Sequence, residues 1–509
     1  MVARIISGDR VLEPAELDRQ VDRAAAALRA EGVGEGDVIA LLLRNDFAFL
    51  VASLAAVHVG AYATPINWHG TFDEIEFVLR DSRAKILIAH DDLLGCFARR
   101  PLDIPVVAVP TPAEIRAAYR LPESTMPLWA RSWDAWLSTD RPSGLRATSA
   151  PMAAMVYTSG TTGRPKGVRR APSSTSDKAP LQRLMAEGFG FVPMDGMVVV
   201  MTGPLYHSAP NAYGMAAIAL ADLIILQPRF DAENLLELVA RHQVTHMHLV
   251  PTMFVRLLKL DQVTRERHDV SSLRCAVHGA APCPPLVKKQ MIDWWGPVVH
   301  EYYGSTETGL ITGHGSAEAL ARPGTAGRAL TGVDLAIFDD EGLKLSSGEI
   351  GGVYIRANAM PDFTYEGRET ERSAIELNGM VTVGDIGWLD ADGYLFLCDR
   401  KRDMIITGGV NVYPAEIEAE LMALDGIRDC AVFGIPDEEF GEAVCAHIEL
   451  EPGADPDAGK VRAALAKKLA RFKVPKVVEF ASALPREDSG KIFKRRLREP
   501  YWESVGRSI

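Results

Sequence analysis

Tyr157-Thr158-Ser159-Gly160-Thr161-Thr162-Gly163-Arg164-Pro165-Lys166-Gly167 is the most informative segment of the sequence. It follows an apolar run, Ala153 to Tyr157, that reads as a strand. From Thr158 onward it packs three glycines, four hydroxyls and one lysine into ten residues. Glycine lets backbone N–H groups approach phosphate oxygens, hydroxyls donate further bonds, and Lys166 adds positive charge. The stretch is not a Walker A loop, which needs Gly before the lysine and Ser or Thr after it; Pro165 and Gly167 stand there instead. Strand, anion cradle, strand is the local expectation.

Outward from this loop, helix and strand signals alternate. Glu16 to Ala30 carries Leu17, Val21, Ala24 and Leu28 on one helical stripe between Pro14 and Gly32. Val38 to Leu43 is a continuous apolar run, as for a strand covered on both faces. Phe72 to Leu79 reads as a helix and Lys85 to Ala89 as a strand. Further strands are expected at 197–201, 223–227 and 245–250, with helices near 210–220 and 232–241. This alternation argues for an α/β fold with mainly parallel strands. The first helix starts near residue 15, which suggests a lost peripheral strand. Phe47 to Ile66 approaches membrane-span length, but His58, Gly60 and Pro65 interrupt it; a buried helix, a stop at Gly60 and a short strand is the reading. After about residue 325 short runs such as Val333 to Phe338 and Val353 to Ala357 alternate with turn clusters, which suggests hairpins and a small barrel. From about 404 a compact α+β segment follows, with a helix opening at Pro414, strands at 430–434 and 443–450, a helix at 457–471 and a strand at 477–480. The fold expected is a large α/β N-terminal domain, residues 1–400, and a small α+β C-terminal domain, residues 401–509.

Hydrophobic residues make up 47% and charged residues 24% of 509, which excludes disordered, collagen-like and disulfide-scaffold classes. The 55 basic against 67 acidic residues give −12, a poor basis for a broad nucleic-acid-binding surface. Six cysteines form no CxxC pair and no zinc spacing, which fits a reducing compartment. Met1 to Arg10 has no apolar core, so no signal peptide is expected. The protein is expected in the cytoplasm, without integral membrane association; a homodimer would be unremarkable.

Further motifs follow the loop in order. Gly279-Ala280-Ala281-Pro282 trails an apolar strand, and its small residues let a flat ring lie against the backbone. Tyr302-Tyr303-Gly304-Ser305-Thr306-Glu307 offers aromatics, a hydroxyl and a carboxylate of the kind hard cations take. Gly384-Asp385 supplies a carboxylate able to accept from a vicinal diol. Asp399-Arg400-Lys401-Arg402-Asp403, Thr407-Gly408-Gly409-Val410 and Pro485-Arg486-Glu487-Asp488-Ser489-Gly490-Lys491 complete the series.

Together these motifs, spread from about residue 12 to residue 498, resemble the adenylate-forming superfamily: acyl-CoA synthetases, adenylation domains of peptide synthetases, and luciferases. The resemblance implies that Thr158, Ser159, Gly160, Thr161, Thr162, Gly163 and Lys166 cradle ATP phosphates, that Gly279, Ala280 and Ala281 hold adenine, and that Tyr303 lines the nucleotide or the acyl pocket. It implies Thr306 on the α-phosphate, Glu307 on Mg²⁺, and Asp385 and Arg400 on the ribose. Gly408 and Gly409 would line a pantetheine tunnel after the C-terminal domain rotates. Lys491 would bridge the substrate carboxylate and the α-phosphate. Pro204-Leu205-Tyr206-His207 resembles the segment bordering the acyl site, with His207 orienting the carboxylate or gating the pocket. Tyr213, His248, Val250, Val277, Gly279 and Gly309 are the expected walls, mostly apolar or small, so the acid should have a hydrophobic body. Two positions depart from the pattern: Val383 precedes Gly384-Asp385, and Glu487 stands where Thr or Asn is common. Arg169-Arg170 is read as a solvated pair, with attraction of ATP or CoA phosphates as the alternative, and Ser173 to Ser176 as a loop at the phosphate entrance. The function implied is an acyl-CoA synthetase that uses ATP, Mg²⁺ and coenzyme A, taking an acid through acyl-AMP to acyl-CoA. The alternatives are an adenylating enzyme that loads a carrier protein and a weakly active nucleotide- or acyl-binding regulator.

Overall fold

Strand Val38–Leu42 is buried along its whole length, and its side chains divide by parity. Ile39 and Leu41 enter one core; Val38, Ala40 and Leu42 enter another with Tyr62, Ile75 and Leu87. A strand covered on both faces needs no polar alternation, which is why this stretch reads as a continuous apolar run. The computed structural model describes residues 3–97, 102–138, 154–158, 165–173, 178–191, 194–400, 403–408, 410–455, 457–486 and 492–503; the side chain of Arg400 is not among the described atoms.

Val38–Leu42 sits in a five-stranded parallel sheet, ordered Tyr62–Pro65, Val38–Leu42, Ile86–His90, Val106–Val109, Arg131–Ser132. The segment after it forms helix Phe47–Val59. Gly60, at φ +77°, takes the left-handed C-cap that a side chain would resist, and the chain turns into Tyr62–Pro65. No described helix is long and apolar enough to cross a membrane.

A second sheet is built around parallel strands Leu223–Leu226, Val198–Met201, His246–Leu249, Cys275–His278 and Val299–Ser305. Helices Pro14–Ala30, Phe47–Val59 and Ser208–Leu220 share one apolar core with both sheets. Two short strands precede the first helix. Arg4–Ser7 and Arg10–Leu12 form a hairpin, and Arg4–Ser7 pairs in parallel with Leu223–Leu226, more than 200 residues away. Three- and four-residue strands leave too little alternation to read before a partner is known.

At Val299–Ser305 the sheet changes character. Gly309–His314 folds back antiparallel, followed by Gly327–Ala329, Tyr394–Arg400, Asp385–Leu389 and Gly351–Ala357, with Val333–Phe338 on the last. These are the hairpins expected after residue 325, joined by hydrogen bonds to the parallel sheet. Lys166–Arg170 forms a small antiparallel sheet with Val156–Thr158 and Phe363–Tyr365. Strands from Ile405 onward belong to a separate five-stranded sheet in which Val477–Ala481 runs parallel to Gly441–Leu450. The expected helix 457–471 ends at Leu465, where the N–H groups of Lys468 and Leu469 turn back to the Leu465 carbonyl.

Candidate functional site

A cleft runs from the phosphate-loop hairpin, over the ends of the second sheet, to the C-terminal elements. Thr158 and Lys166 are cross-strand partners, so they form the base of the hairpin that the loop closes. Ser159, Gly160, Thr161, Thr162 and Gly163 lie outside the described residues. The Lys166 ammonium pairs with Glu371 and stands 5.3 Å over the Tyr365 ring. The Tyr365 hydroxyl in turn donates to Glu307 Oε1 at 3.3 Å. Lys166 and Glu307 therefore share one neighbourhood, linked through Tyr365.

Arg170 corrects the reading of Arg169-Arg170 as a solvated pair. Arg170 is buried, and its guanidinium donates to the carbonyls of Thr306 (2.8 Å), Glu307 (2.8 Å) and Pro361 (3.0 Å). Burial lowers its pKa to about 10, which still leaves it charged at neutral pH. Arg169 stacks 4.6 Å over Tyr62 and bonds Glu366 at 3.0 Å. One signal for Arg170 was available: it lies two residues after Val168 on a strand, and Val168 is buried. Of the stretch Ser173 to Ser176, Ser173 lines the cleft and Ser174 to Ser176 lie outside the described residues.

The Thr306 hydroxyl donates to Ser208 Oγ at 2.9 Å. Ser208 opens helix Ser208–Leu220 and His207 is its N-cap, so Thr306, Glu307 and His207 are brought to one edge of the cleft. One carboxylate beside hydroxyls is a donor set that suits Mg²⁺ bound mainly through substrate phosphates, with Glu307 as the residue to hold it. Tyr303 and Asp385 are joined by a short hydrogen bond, and backbone register sets Asp385 opposite Arg400. The two residues expected at the ribose are thus neighbours across strands. Val383 lines the cleft beside Gly384, whose N–H is held by Thr382 Oγ1 at 3.0 Å, so the departure at Val383 leaves the turn intact.

Ala280 and Ala281 line the cleft, and Gly279 sits one residue behind them. A Cβ at Gly279 would fall 2.6 Å from the Tyr302 ring, so only glycine lets that ring lie against the backbone. Tyr302 is bonded through its hydroxyl to His248 Nε2 (2.8 Å) and meets Phe189 edge-to-face at 5.4 Å. Of the expected walls, His248, Val250 and Gly309 line the cleft, whereas Tyr213 and Val277 are packed behind it. Glu301 and Lys288 also line the cleft; Glu301 accepts from Lys288 and lies 2.9 Å from His314 Nε2. Burial opposes the Glu301 charge, but His278, Lys288 and His314 outweigh it and lower its pKa to about 2.

Burial also lowers His248 to about 4 and His278 to about 3, so both are neutral in the folded protein at pH 7. The unfolded chain binds a proton on each near pH 6.5, before the folded chain does, so their stability contribution is present above 6.5 and is lost as pH falls toward 4. Each is expected to cost about 1 kcal/mol by pH 5.5. Carboxylates contribute to the loss only below about pH 4.3. Thermal unfolding should therefore fall between pH 7.5 and 5.5; a flat or rising Tm across that interval would show that these histidines are not held neutral.

On the C-terminal side, Gly408 N–H donates to the Phe440 carbonyl at 2.8 Å. Gly409, Glu487 and Lys491 lie outside the described residues. The flanks of the lysine segment are described: Arg486 and Ile492 form a β-bridge, and both line the cleft. Lys494, three residues on, pairs with Glu418 at 2.8 Å.

The AMP-binding enzyme family profile matches residues 3–361, and that of the AMP-binding enzyme C-terminal domain matches residues 416–491. A Mycobacterium tuberculosis 3-[(3aS,4S,7aS)-7a-methyl-1,5-dioxo-octahydro-1H-inden-4-yl]propanoyl:CoA ligase is 33% identical, covering 97% of this chain and 95% of its own. A fatty acid–[acyl-carrier-protein] ligase, ScoC of Streptomyces coeruleorubidus, is 30% identical over 99% of this chain and 94% of its own. The ATP-bound crystal structure of MatB from Rhodopseudomonas palustris superimposes with a TM-score of 0.83 at 30% identity, covering 98% of this chain and 95% of that one. The chain belongs to the AMP-binding enzyme family and is an AMP-forming acid–thiol ligase, a user of ATP, Mg²⁺ and coenzyme A.

Proposed function

We propose that the acid this ligase activates has an extended hydrophobic body, held between helices Lys178–Phe189 and Ser208–Leu220. The observation that carries this reading is the lining of the cleft there. Met185, Ala186 and Phe189 face it from one helix, and Ala212, Ala216 and Ala219 from the other. Alanines at intervals of three and four residues keep one helix face low. A helix of 13 residues is about 20 Å long, enough for a medium or long acyl chain or a fused-ring acid. Tyr302 and His248 fill the space beside Gly279, which turns the acid body toward the helices.

In this reading residues 1–400 hold ATP and acid, and residues 401–509 form a mobile domain that brings Lys491 in. His207 and Thr306 orient the acid carboxylate and the α-phosphate. The carboxylate oxygen attacks the α-phosphorus, pyrophosphate leaves, and acyl-AMP forms. Glu307 would hold Mg²⁺, which would neutralise phosphate charge. Lys491 lies where negative charge from both reactants converges. The CoA thiolate then attacks the acyl carbonyl and AMP leaves. Adenylation is needed because a carboxylate is a poor electrophile and AMP a good leaving group. Six thiols without a disulfide support a reaction in a reducing compartment, the cytoplasm. Carrier-protein loading is the second reading, favoured by the likeness to ScoC.

A chain-length series tests the acid class. kcat/KM for acid-dependent pyrophosphate release should rise from C4 toward C12; a maximum at the shortest acids would sink the proposal. Tyr302→Ala should open space against Gly279 and shift the kcat/KM ratio toward acids branched near the carboxylate by about tenfold. An unchanged ratio in a folded variant would show that Tyr302 does not bound the acyl site.

A further inference from the structure

In open parallel sheets, ligands bind at the C-terminal strand ends where the strand order reverses. In the five-stranded sheet that point lies between Val38–Leu42 and Ile86–His90, since the chain leaves the first toward Tyr62–Pro65 and returns past it to the second. The crevice is closed by its own side chains. Arg44 holds Asp92 through two nitrogens at 2.8 and 2.9 Å, Asp46 takes Arg10 at 2.6 Å and His90 at 3.3 Å, and Thr111 donates to Asp91 at 2.6 Å.

Asn45, 2% exposed in the middle of this group, reaches outward instead. Its Nδ2 donates to the Gly203 carbonyl at 2.9 Å, and its Oδ1 accepts from the Leu205 N–H at 2.9 Å. One side chain thus occupies two backbone groups of a loop nearly 160 residues away. The loop is held from its other side by Asn211, whose Nδ2 donates to the Leu205 carbonyl at 3.0 Å. Tyr206 seats its ring edge-on against Trp68 at 4.5 Å. The next residues are His207, the N-cap of helix Ser208–Leu220, and Ser208, which accepts from Thr306.

We propose that Asn45 is a positioning residue for the acid-binding edge of the site: it fixes Gly203–Leu205 so that His207 and Ser208 meet the acid and Thr306. The inference rests on the placement of the acid beside His207. Buried amide-to-backbone pairs are costly to break because the abandoned N–H and C=O find no water. The loop must shift to satisfy them, and sub-ångström displacement at a reacting edge is felt as rate. ATP contacts on Lys166–Arg170 and Asp385 belong to other elements and do not depend on this loop.

The test uses the full chain and pyrophosphate release with acid and ATP varied separately. Asn45→Ala is expected to lower kcat/KM for the acid roughly 10- to 100-fold while the KM for ATP moves less than about twofold. In a His207→Ala background the same change should cost less than about threefold, because the residue acts through what has been removed. Equal losses for acid and ATP, or full additivity with His207→Ala, would overturn the proposal. A His207→Ala variant with an unchanged acid KM would refute the placement of the acid instead, a different result. Asn45→Asp keeps the acceptor and loses the donor; it should show the same acid-selective loss. If neither variant folds, Asn45 is a stability residue and the proposal falls.

Discussion

Lys491→Ala is expected to slow acid-dependent pyrophosphate release by about 10²–10³-fold. Two anions, the acid carboxylate and the α-phosphate, must approach to bonding distance in the adenylation step. A preorganised cation between them stabilises the charge shared at the transition state more than in the ground state, so the loss should appear in kcat. Arg486 and Ile492, on either side of the lysine segment, line the cleft and are bridged to each other. Lys494 cannot substitute: Glu418 holds it, and although burial lowers its pKa, the charges of Glu418 and Asp399 outweigh burial and raise it. Thioesterification of supplied acyl-AMP, measured as AMP release with CoA, should stay within about threefold, since that step removes a leaving group rather than joining two anions. Equal losses in both half-reactions would show that Lys491 does not bridge the reactants.

Arg170→Met is expected to lower kcat for adenylation by about 100-fold and to destabilise the protein by about 3 kcal/mol. The guanidinium fork occupies the carbonyls of Thr306, Glu307 and Pro361, and methionine fills the volume without a donor. Three half-buried carbonyls then lose their partner. The segment must rotate them toward water, which carries the Thr306 hydroxyl and Glu307 carboxylate away from where the substrate phosphates need them. Arg170→Lys should recover little, because a point charge cannot meet three carbonyls as a planar fork does. Kinetics with Mg²⁺·ATP varied and a thermal melt check this; a normal rate from a destabilised variant would reduce Arg170 to a stability role.

The elements that were legible in the sequence are those whose environment is written along the chain. Val38–Leu42 and Ile86–His90 are buried on both faces, so their apolar runs needed no partner to interpret. Gly60 marked its helix end because a left-handed cap is a local event. Thr158 and Lys166, Thr306 and Glu307, and Gly384 and Asp385 stand within compact motifs, and the fold brings them to one cleft. What was not legible depends on partners far apart in sequence. Arg170 reads as half of a basic pair until Thr306 and Glu307 arrive from 136 and 137 residues away. Asn45 stands in no motif, and its partners Gly203 and Leu205 come from 158 and 160 residues away. The strand Arg4–Ser7 exists because Leu223–Leu226 offers an edge, not because four residues specify a strand.

The most direct measurement of the central claim is acid-dependent pyrophosphate release by the purified chain with Mg²⁺·ATP and a C8–C12 acid, with and without CoA, and the product identified by mass. Pyrophosphate and AMP are expected in equal amounts, with acyl-CoA as the product when CoA is present. Pyrophosphate release with bound acyl-AMP but no acyl-CoA, on an enzyme that acylates a carrier protein instead, would contradict it.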